Sequence, residues 1–421
     1  MRILLTIDHW GLIGGSERYA TAIAGALIAR GHTVEVLAGA SAGETLAGVR
    51  CTVVPAYSEP KAGPAEIEAL ARAARGIASD VVLLLSIRSR ATLEVLYGLG
   101  RPVVRFVQDH TLFCPGLNKL HEDQSNCEHA LGRECLKRYY LGKGCIGFKP
   151  VMHRQPWRDG FGGVWKHLRG VSLARRAAAT YVASEYMRTE LVRAGFARER
   201  VAVLPLFTDS GTRPAGPEAL PEALRARIEA AGAPMVLTPA RLVLPDKGVD
   251  YLLTALGQVK GPFVAVIAGT GPHEAWLKEK AVAEGLGERA IFTGWLGGQA
   301  LEALYAQASV VAFPSMWNEP FGLVGLEAMA HRVPVVAFRA GGVTEWLEDG
   351  VNGIGIPRGD TGAMAGAIDA LLADPERRRT LGEAGFRTVH ERLTREAHVA
   401  GLERLLERVQ LGSAGAARER A

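Results

Sequence analysis

Two glutamates, Glu319 and Glu327, are the first candidates for chemistry in this chain. Glu319 precedes a run whose apolar residues recur at helical spacing, and Glu327 lies within that run. Carboxylates held in this way can accept hydrogen bonds from sugar or ribose hydroxyls, while the first amides of the helix bind a phosphate. The arrangement is typical of a sugar-nucleotide site. The alternative is a solvated loop acid and an exposed helical glutamate.

The flanking sequence indicates which elements position these glutamates. Apolar runs of strand length, 309–313 and 333–338, precede and follow the segment, so we predict a strand, loop, helix, strand unit of a parallel sheet. The helix is predicted to begin at Phe321 or Gly322. Its first backbone amides belong to Phe321, Gly322, Leu323 and Val324. They are expected at the carboxyl edge of the sheet, where α/β folds bind ligands.

The glutamate pair and several further motifs resemble glycosyltransferase family 4. The run EPFGLVGLE, after a strand ending in FPS, resembles the family signature. Residues 238–253, which include Arg241 and Lys247, resemble the family's diphosphate-binding segment. Further matches in the family's order are AGTGP with Gly269, FTGWL with Trp295, and AGGVTE followed by DGVNG. The set is far more specific than a single glycine motif.

The resemblance implies a fold class and roles for individual residues. The fold is α/β of the GT-B type, in which two Rossmann-like domains with parallel sheets face a central cleft and a C-terminal helix crosses back to the first domain. Glu319 would bind hydroxyls of the transferred sugar, Glu327 the ribose hydroxyls, and Trp295 would lie against the base. The other donor-binding residues implied are Gly14, Gly15, Arg241, Lys247, Gly269, Phe321, Gly322, Leu323 and Val324. For Trp295 the alternative is packing in a core.

The reaction implied is transfer of a sugar from a nucleoside diphosphate sugar, a UDP-sugar or GDP-sugar, to a hydroxyl with retention of configuration. Negative charge develops on the leaving diphosphate, and fixed cations such as Arg241 and Lys247 stabilise it. The sequence has no Asp-x-Asp motif, so we expect that no cofactor or metal is required for catalysis. The acceptor is expected to be a glycan or a lipid-linked molecule in bacterial surface-glycan or glycoconjugate biosynthesis.

The first half of the chain opens with a βαβ pattern and a glycine-rich turn containing Gly14 and Gly15. A later strand, 103–107, ends at Gln108-Asp109-His110. The family often has a His-Asp pair there, so Asp109 and His110 are candidate catalytic groups on the acceptor side. The alternative is a structural pair at a strand end.

Four of the five cysteines fall within 32 residues. They are Cys114, Cys127, Cys135 and Cys145. In a cytoplasmic protein such clustering indicates a structural zinc ion or iron–sulfur cluster before it indicates disulfides. No Cys-x-x-Cys pair is present, and free thiols are the alternative.

The composition is that of a globular protein with one basic region. The 421 residues imply two or three domains, and 48% hydrophobic residues with 22% charged ones are ordinary values. Of the net charge of +5, residues 137–176 contribute ten Lys or Arg and one acid, Asp159, interspersed with aromatic residues. This mixture suits an anionic membrane surface. The alternative is a solvated insertion, and no nucleic-acid motif accompanies the region.

We predict an N-terminal acceptor-side domain at 1–207 with a Cys-rich, basic insertion at about 110–170, and a linker with a connecting helix at 208–232. A donor-binding domain at 233–391 and a crossing helix with a polar tail at 392–421 follow. The first apolar run is too short for a signal peptide, and no run is long enough to span a membrane.

We therefore expect a cytoplasmic protein, peripheral at the inner face of the cell membrane. Alternative functions are a nucleotide-sugar epimerase of similar fold and a non-catalytic, metal-stapled scaffold at a membrane surface.

Overall fold

A computed structural model of the chain describes residues 1–11, 15–42, 46–87, 89–123, 125–141, 144–145, 147, 156–212 and 215–418. The chain divides into two compact units. The N-terminal unit comprises Met1–Leu117, Cys127–Leu204 and Glu396–Ala421. The C-terminal unit comprises Asn118–Asn126 and Pro205–Arg395.

In its described part, the N-terminal unit is built on a seven-stranded parallel sheet. Its strands are β1 (Arg2–Trp10), β2 (Thr33–Ser41), β3 (Cys51–Val53), β4 (Val81–Leu84), β5 (Val103–Phe106), β6 (Ala179–Val182) and β7 (Val201–Val203). They pair in the order β3-β2-β1-β4-β5-β6-β7. The helices are α1 (Gly15–Ala29), α2 (Pro64–Gly76), α3 (Arg90–Tyr97), α4 (Arg133–Tyr140), α5 (Pro156–Ala174) and α6 (Glu185–Arg193).

The C-terminal unit has a six-stranded parallel sheet in the residues that the structure describes. Its strands are β8 (Met235–Pro239), β9 (Val264–Ala268), β10 (Ala290–Gly294), β11 (Val310–Phe313), β12 (Val335–Phe338) and β13 (Ile354–Ile356). The strand order is β10-β9-β8-β11-β12-β13. The helices are α7 (Glu222–Ala231), α8 (Val249–Leu256), α9 (Glu274–Ala283), α10 (Gln299–Gln307), α11 (Leu323–Ala330), α12 (Thr361–Ala373) and α13 (Pro375–Arg387).

The apolar runs of the sequence become strands because helices cover both faces of each sheet. A strand of a parallel sheet has no solvated face, so it reads as a continuous hydrophobic run rather than an alternating one. Every residue of β4, β11 and β12 is buried, as this rule requires. The predicted α/β class with parallel sheets is therefore confirmed.

The last helix, α14 (Arg395–Arg418), contributes to the N-terminal unit. His398 Nε2 lies 2.8 Å from the hydroxyl of Tyr19, which lies 3.0 Å from the hydroxyl of Tyr181. Glu403 Oε1 lies 2.7 Å from His32 Nε2. The helix therefore makes polar contacts with α1 and with the residue before β2, and Tyr19 links its contact to β6.

The segment Asn118–Asn126 belongs to the C-terminal unit, whereas the sequence placed it within the insertion of the N-terminal domain. Asn118 Nδ2 donates a hydrogen bond to Asp246 Oδ1 at 3.0 Å, and Asn318 Nδ2 donates one to the Lys119 carbonyl at 3.2 Å. These contacts join residues more than a hundred positions apart, so no local pattern could have predicted them.

The helix after β11 begins at Leu323, slightly later than predicted. Gly322 has φ +94°, in the left-handed region, and therefore stands as the residue before the helix. In the described part of the chain, we find no helix with the length and apolar character needed to span a membrane.

We expect Gly325→Ala to lower the free energy of unfolding by about 1–3 kcal/mol, because overpacking strains a close-packed core. A Cβ at this position would lie 2.0 Å from the ring of Trp346, which is completely buried. Gly366→Ala, in α12, is the control, since no atom lies within 4 Å of its new Cβ. It should be neutral or stabilising by about 0.5–1 kcal/mol. Denaturant unfolding followed by circular dichroism measures both, and equal effects would contradict the packing described.

Candidate functional site

The C-terminal sheet reverses its strand order between β8 and β11. From this central pair the chain adds β9 and β10 on one side and β12 and β13 on the other. In open α/β sheets, ligands bind outside the carboxyl ends of the strands at such a switch point. The loops that leave β8 and β11 at this edge carry Lys247 and Glu319.

Lys247 and Glu319 form an ion pair that is largely shielded from solvent. Lys247 Nζ lies 2.6 Å from Glu319 Oε1, and the two side chains are 17% and 7% exposed. The hydroxyl of Ser315 donates to the same oxygen at 2.7 Å, and Lys247 Nζ lies 4.9 Å from the centre of the Trp317 ring. Charges in such surroundings attract strongly, and an unpaired one is costly. The contacts with Ser315 and Trp317 therefore hold the ion pair in one arrangement.

Backbone contacts hold the two loops together. The carbonyl of Asp246 accepts hydrogen bonds from the amides of Met316 and Trp317, both at 2.9 Å. Gly248 has φ +59°, and a Cβ there would lie 1.9 Å from the carbonyl oxygen of Pro314. Only glycine fits this approach. The loop after β8 is thus fixed against the loop after β11.

The first turn of α11 follows the Glu319 loop directly. Gly322 has no side chain to cap the amides of Leu323 and Val324, which are half-buried residues. Phe321 is buried, and its carbonyl accepts a hydrogen bond from the indole of Trp346 at 2.7 Å. Helix starts of this kind bind anions through their backbone amides.

Glu327 lies further along α11 and is oriented by a buried tyrosine. The hydroxyl of Tyr305 donates to Glu327 Oε2 at 2.6 Å. Burial raises the pKa of Tyr305 well above its usual value, and the charge of Glu327 raises it further. The phenol therefore stays protonated and acts as the donor.

The other predicted donor-binding residues of this unit lie in loops at the same edge of the sheet. Arg241 follows β8 and is exposed. Gly269 follows β9, has φ +149° and donates its amide to the Gly294 carbonyl at 2.9 Å. Trp295 follows β10 and is 73% exposed, which excludes packing in a core.

The N-terminal unit contains a cavity of about 630 Å³ at the carboxyl ends of β1, β4 and β5. Its polar lining includes Asp8, Ser16, Ser86, Arg105, Gln108, Asp109, Lys166 and His167. Gln108 Oε1 accepts a hydrogen bond from Ser16 at 2.7 Å, and its Nε2 donates to the Leu85 carbonyl at 3.0 Å. Gln108 therefore joins the ends of β4 and β5 to the start of α1.

Asp109 and His110 are adjacent in sequence but differ in their surroundings. Asp109 lines the cavity and accepts a hydrogen bond from the Thr111 amide at 2.9 Å. His110 is fully buried, and its Nε2 lies 2.8 Å from the Tyr186 hydroxyl. It is not among the residues that line the cavity. Gly15 is the exposed first residue of α1, and Gly14 lies outside the described residues.

Several residues that shape these sites were not predicted. Ser315 and Trp317 lie in the same loop as Glu319, so proximity in sequence was an available signal. Tyr305 gave none, because its contact with Glu327 arises only when α10 and α11 pack on the sheet. Gln108 lies at the strand end where the family often has a His-Asp pair, so its position was also an available signal.

The four clustered cysteines are all buried in the N-terminal unit, and each is a thiol rather than half of a disulfide. Burial, together with the charges of Cys127, Cys114 and Cys135, raises the pKa of Cys145 to about 12. Among the described residues, no group of three or more His, Cys, Asp or Glu side chains is arranged to hold a metal ion. The structural metal stays a prediction.

If these cysteines hold a metal, we expect the purified protein to contain about one zinc ion or one iron–sulfur cluster per chain. Cys135→Ser should remove it, because bound thiolates are the ligands and a hydroxyl replaces one poorly. Cys51→Ser is the control and should keep the metal. Elemental analysis by mass spectrometry gives the answer, and a metal-free wild type would refute the prediction.

Comparison with known proteins defines the class of this chain. The model of Glycosyltransferase Family 4 matches residues 13–211, and that of Glycosyl transferases group 1 matches residues 222–388. The two matches cover most of the chain, which belongs to glycosyltransferase family 4.

Individual relatives are matched over part of their length. The chain is 34% identical to the alpha-D-kanosaminyltransferase of Streptomyces kanamyceticus over 213 residues, 50% of this chain and 55% of that protein. It is 35% identical over 211 residues to the GDP-mannose-dependent alpha-(1-6)-phosphatidylinositol monomannoside mannosyltransferase of Mycolicibacterium smegmatis, 48% of this chain and 55% of that protein. The matches thus span about half the length of these relatives.

A solved structure is similar over nearly the whole chain. HepE from Anabaena, in complex with UDP, gives a TM-score of 0.70 at 22% identity and covers 97% of this chain and 100% of that one. This similarity confirms the predicted GT-B fold with two Rossmann-like units.

Proposed function

We propose that this protein is a retaining glycosyltransferase that moves a sugar from a nucleoside diphosphate sugar to a hydroxyl of a glycan or lipid-linked acceptor. The largely shielded Lys247–Glu319 pair beside the start of α11 carries the proposal. Membership of family 4 supports it. We place the reaction in bacterial surface-glycan or glycoconjugate biosynthesis.

The donor diphosphate would lie on the C-terminal unit, between the cations and the helix start. Arg241 is exposed and can bind two phosphate oxygens through its planar fork, while Lys247 adds a compact charge. The amides at the start of α11 supply further donors. HepE is in complex with UDP, and the mannosyltransferase is named as GDP-mannose-dependent. Both support a uridine or guanosine diphosphate sugar as the donor.

Glu319 would accept hydrogen bonds from hydroxyls of the transferred sugar, and Glu327 from the ribose hydroxyls. In the step we propose, the bond from the anomeric carbon to the phosphate oxygen breaks as the acceptor oxygen bonds to the same face of that carbon. The released phosphate oxygen takes the acceptor proton, so no protein base is needed. Fixed cations and amides stabilise the charge on the diphosphate, and on this basis we propose that a catalytic metal is not required.

We expect Glu319→Gln to lower kcat/KM for transfer by about 100-fold, because the neutral amide keeps the shape but loses the charge that acts on the developing transition state. Glu348→Gln, at an exposed glutamate of the same unit, is the matched control and should retain activity. Transfer from UDP-sugars and GDP-sugars is measured by nucleotide release in the presence of acceptor. Wild-type turnover by a folded Glu319→Gln protein would refute the assignment.

We also propose that the basic region 137–176 contacts an anionic membrane surface and that the protein acts in the cytoplasm, at the inner face of the membrane. On α5, Phe161 and Trp165 are 57% and 61% exposed, and the guanidinium of Arg169 lies 5.8 Å from the Trp165 ring. Arg158 lines an apolar groove together with Phe161 and Trp165. Exposed aromatic rings among cations suit the interface of anionic lipids.

Trp165→Ala should weaken binding to phosphatidylglycerol vesicles by about tenfold, because burial of the indole among lipids is lost. The control is Trp276→Ala, which removes a tryptophan that is 48% exposed on α9 of the other unit. Sedimentation with vesicles measures the binding. If both variants bind alike, α5 is not the contact surface.

A further inference from the structure

A buried arginine interrupts the apolar strand β5. Arg105 is paired in register with Leu84 of β4 and Thr180 of β6, and it is only 8% exposed. The phenols of Tyr97 and Tyr57 are near enough to its guanidinium to affect its charge, but the buried Nη1 has no hydrogen-bond partner. No carboxylate among the described residues forms an ion pair with it.

Such a cation is expensive to bury. Arginine keeps its charge in proteins, so it cannot avoid the desolvation cost by losing its proton. Burial lowers the pKa of Arg105, and the groups that oppose this shift are the phenols of Tyr97 and Tyr57. Buried charges are ordinarily paired. The missing counter-charge therefore points to a ligand.

Arg105 lines the cavity of about 630 Å³ in the N-terminal unit. That volume is within the usual range for small-molecule sites. The lining also contains two further cations, Lys166, exposed on α5, and Arg90, which is paired with Glu94. Asp8, Glu17 and Asp109 are its acids, and Gln108 supplies an amide suited to hydroxyls. Nη1 of Arg105 is without a hydrogen-bond partner, and the N–H groups of a guanidinium match the planar spacing of carboxylate and phosphate oxygens.

We infer that this cavity binds an acidic group, a phosphate or carboxylate, carried by the acceptor, and that Arg105 is its principal ligand. The inference rests on the proposed transferase function, to which it adds the chemical class of the acceptor. Binding of the acidic group at this site does not require a bound donor.

The test is anion binding by the full chain without nucleotide. Inorganic phosphate and glucose 6-phosphate are titrated against wild type, with glucose and sodium chloride at matched ionic strength as controls, and binding is followed by calorimetry and thermal shift. We expect saturable binding of both phosphates to wild type. Arg105→Met should weaken it by about tenfold or more. Without ligand, the same variant should melt about 2–4 °C higher, since an unpaired buried charge is removed.

The rise in melting temperature separates a ligand-binding arginine from a structural one, whose loss would lower it. If Arg105→Met does not fold, Arg105→Lys takes its place: it keeps a cation without the fork and should also bind phosphate more weakly. Arg72→Met, at an arginine of α2 that is 66% exposed and does not line the cavity, is the matched control and should bind phosphate like wild type.

The outcomes separate this inference from the proposed function. If wild type transfers no sugar yet binds phosphate through Arg105, the transferase proposal fails and the anion site stands. Tighter binding of glucose 6-phosphate than of inorganic phosphate indicates a soluble sugar phosphate, whereas equal affinities with competition by phosphatidic acid vesicles indicate a lipid-borne one. Binding no stronger than in the chloride control, or unchanged binding by both Arg105 variants, overturns the inference.

Discussion

The ion pair between Lys247 and Glu319 is the interaction on which the candidate donor site depends. Its members are 72 residues apart in the chain and meet because β8 and β11 are neighbours at the centre of the C-terminal sheet. A parallel sheet places the carboxyl ends of its strands at one edge, so loops distant in sequence become adjacent there. Breaking one partner would leave a shielded charge unpaired, which is costly. The order of the strands brings Lys247 and Glu319 together, and the attraction between their charges keeps them paired.

The same constraint shapes the N-terminal unit, with different chemistry. Its sheet reverses between β1 and β4, and the cavity lies at the carboxyl ends of these strands and of β5. The C-terminal unit presents a cation already paired with a carboxylate, whereas Arg105 presents one without a carboxylate partner among the described residues. A paired cation can yield to a diphosphate by rearranging an existing network, but an unpaired one is arranged to receive an anion. Two similar sheets therefore support two different recognition tasks.

The four buried cysteines and the segment Asn118–Asn126 are neighbours in sequence but belong to different units of the structure. Cys114 and Cys127 flank the segment in sequence and belong to the N-terminal unit, while the segment itself is held by Asp246 and Asn318. The segment's Asn118 side-chain amide donates to Asp246, which precedes Lys247, and its Lys119 carbonyl accepts from the amide of Asn318, which precedes Glu319. The order of the ion pair therefore depends in part on residues that precede the C-terminal sheet by more than a hundred positions.

The sequence by itself determined the fold class, the parallel sheets and the Glu319 segment, because hydrophobic runs and helical spacing are local signals of burial. It also predicted Lys247 by family resemblance. Only the tertiary structure decided that Tyr305 orients Glu327, that His110 is buried while Asp109 lines a cavity, and that Nη1 of Arg105 is buried without a hydrogen-bond partner. Each of these depends on which side chains meet when helices and strands pack. Contacts between distant residues leave no periodic trace in one sequence.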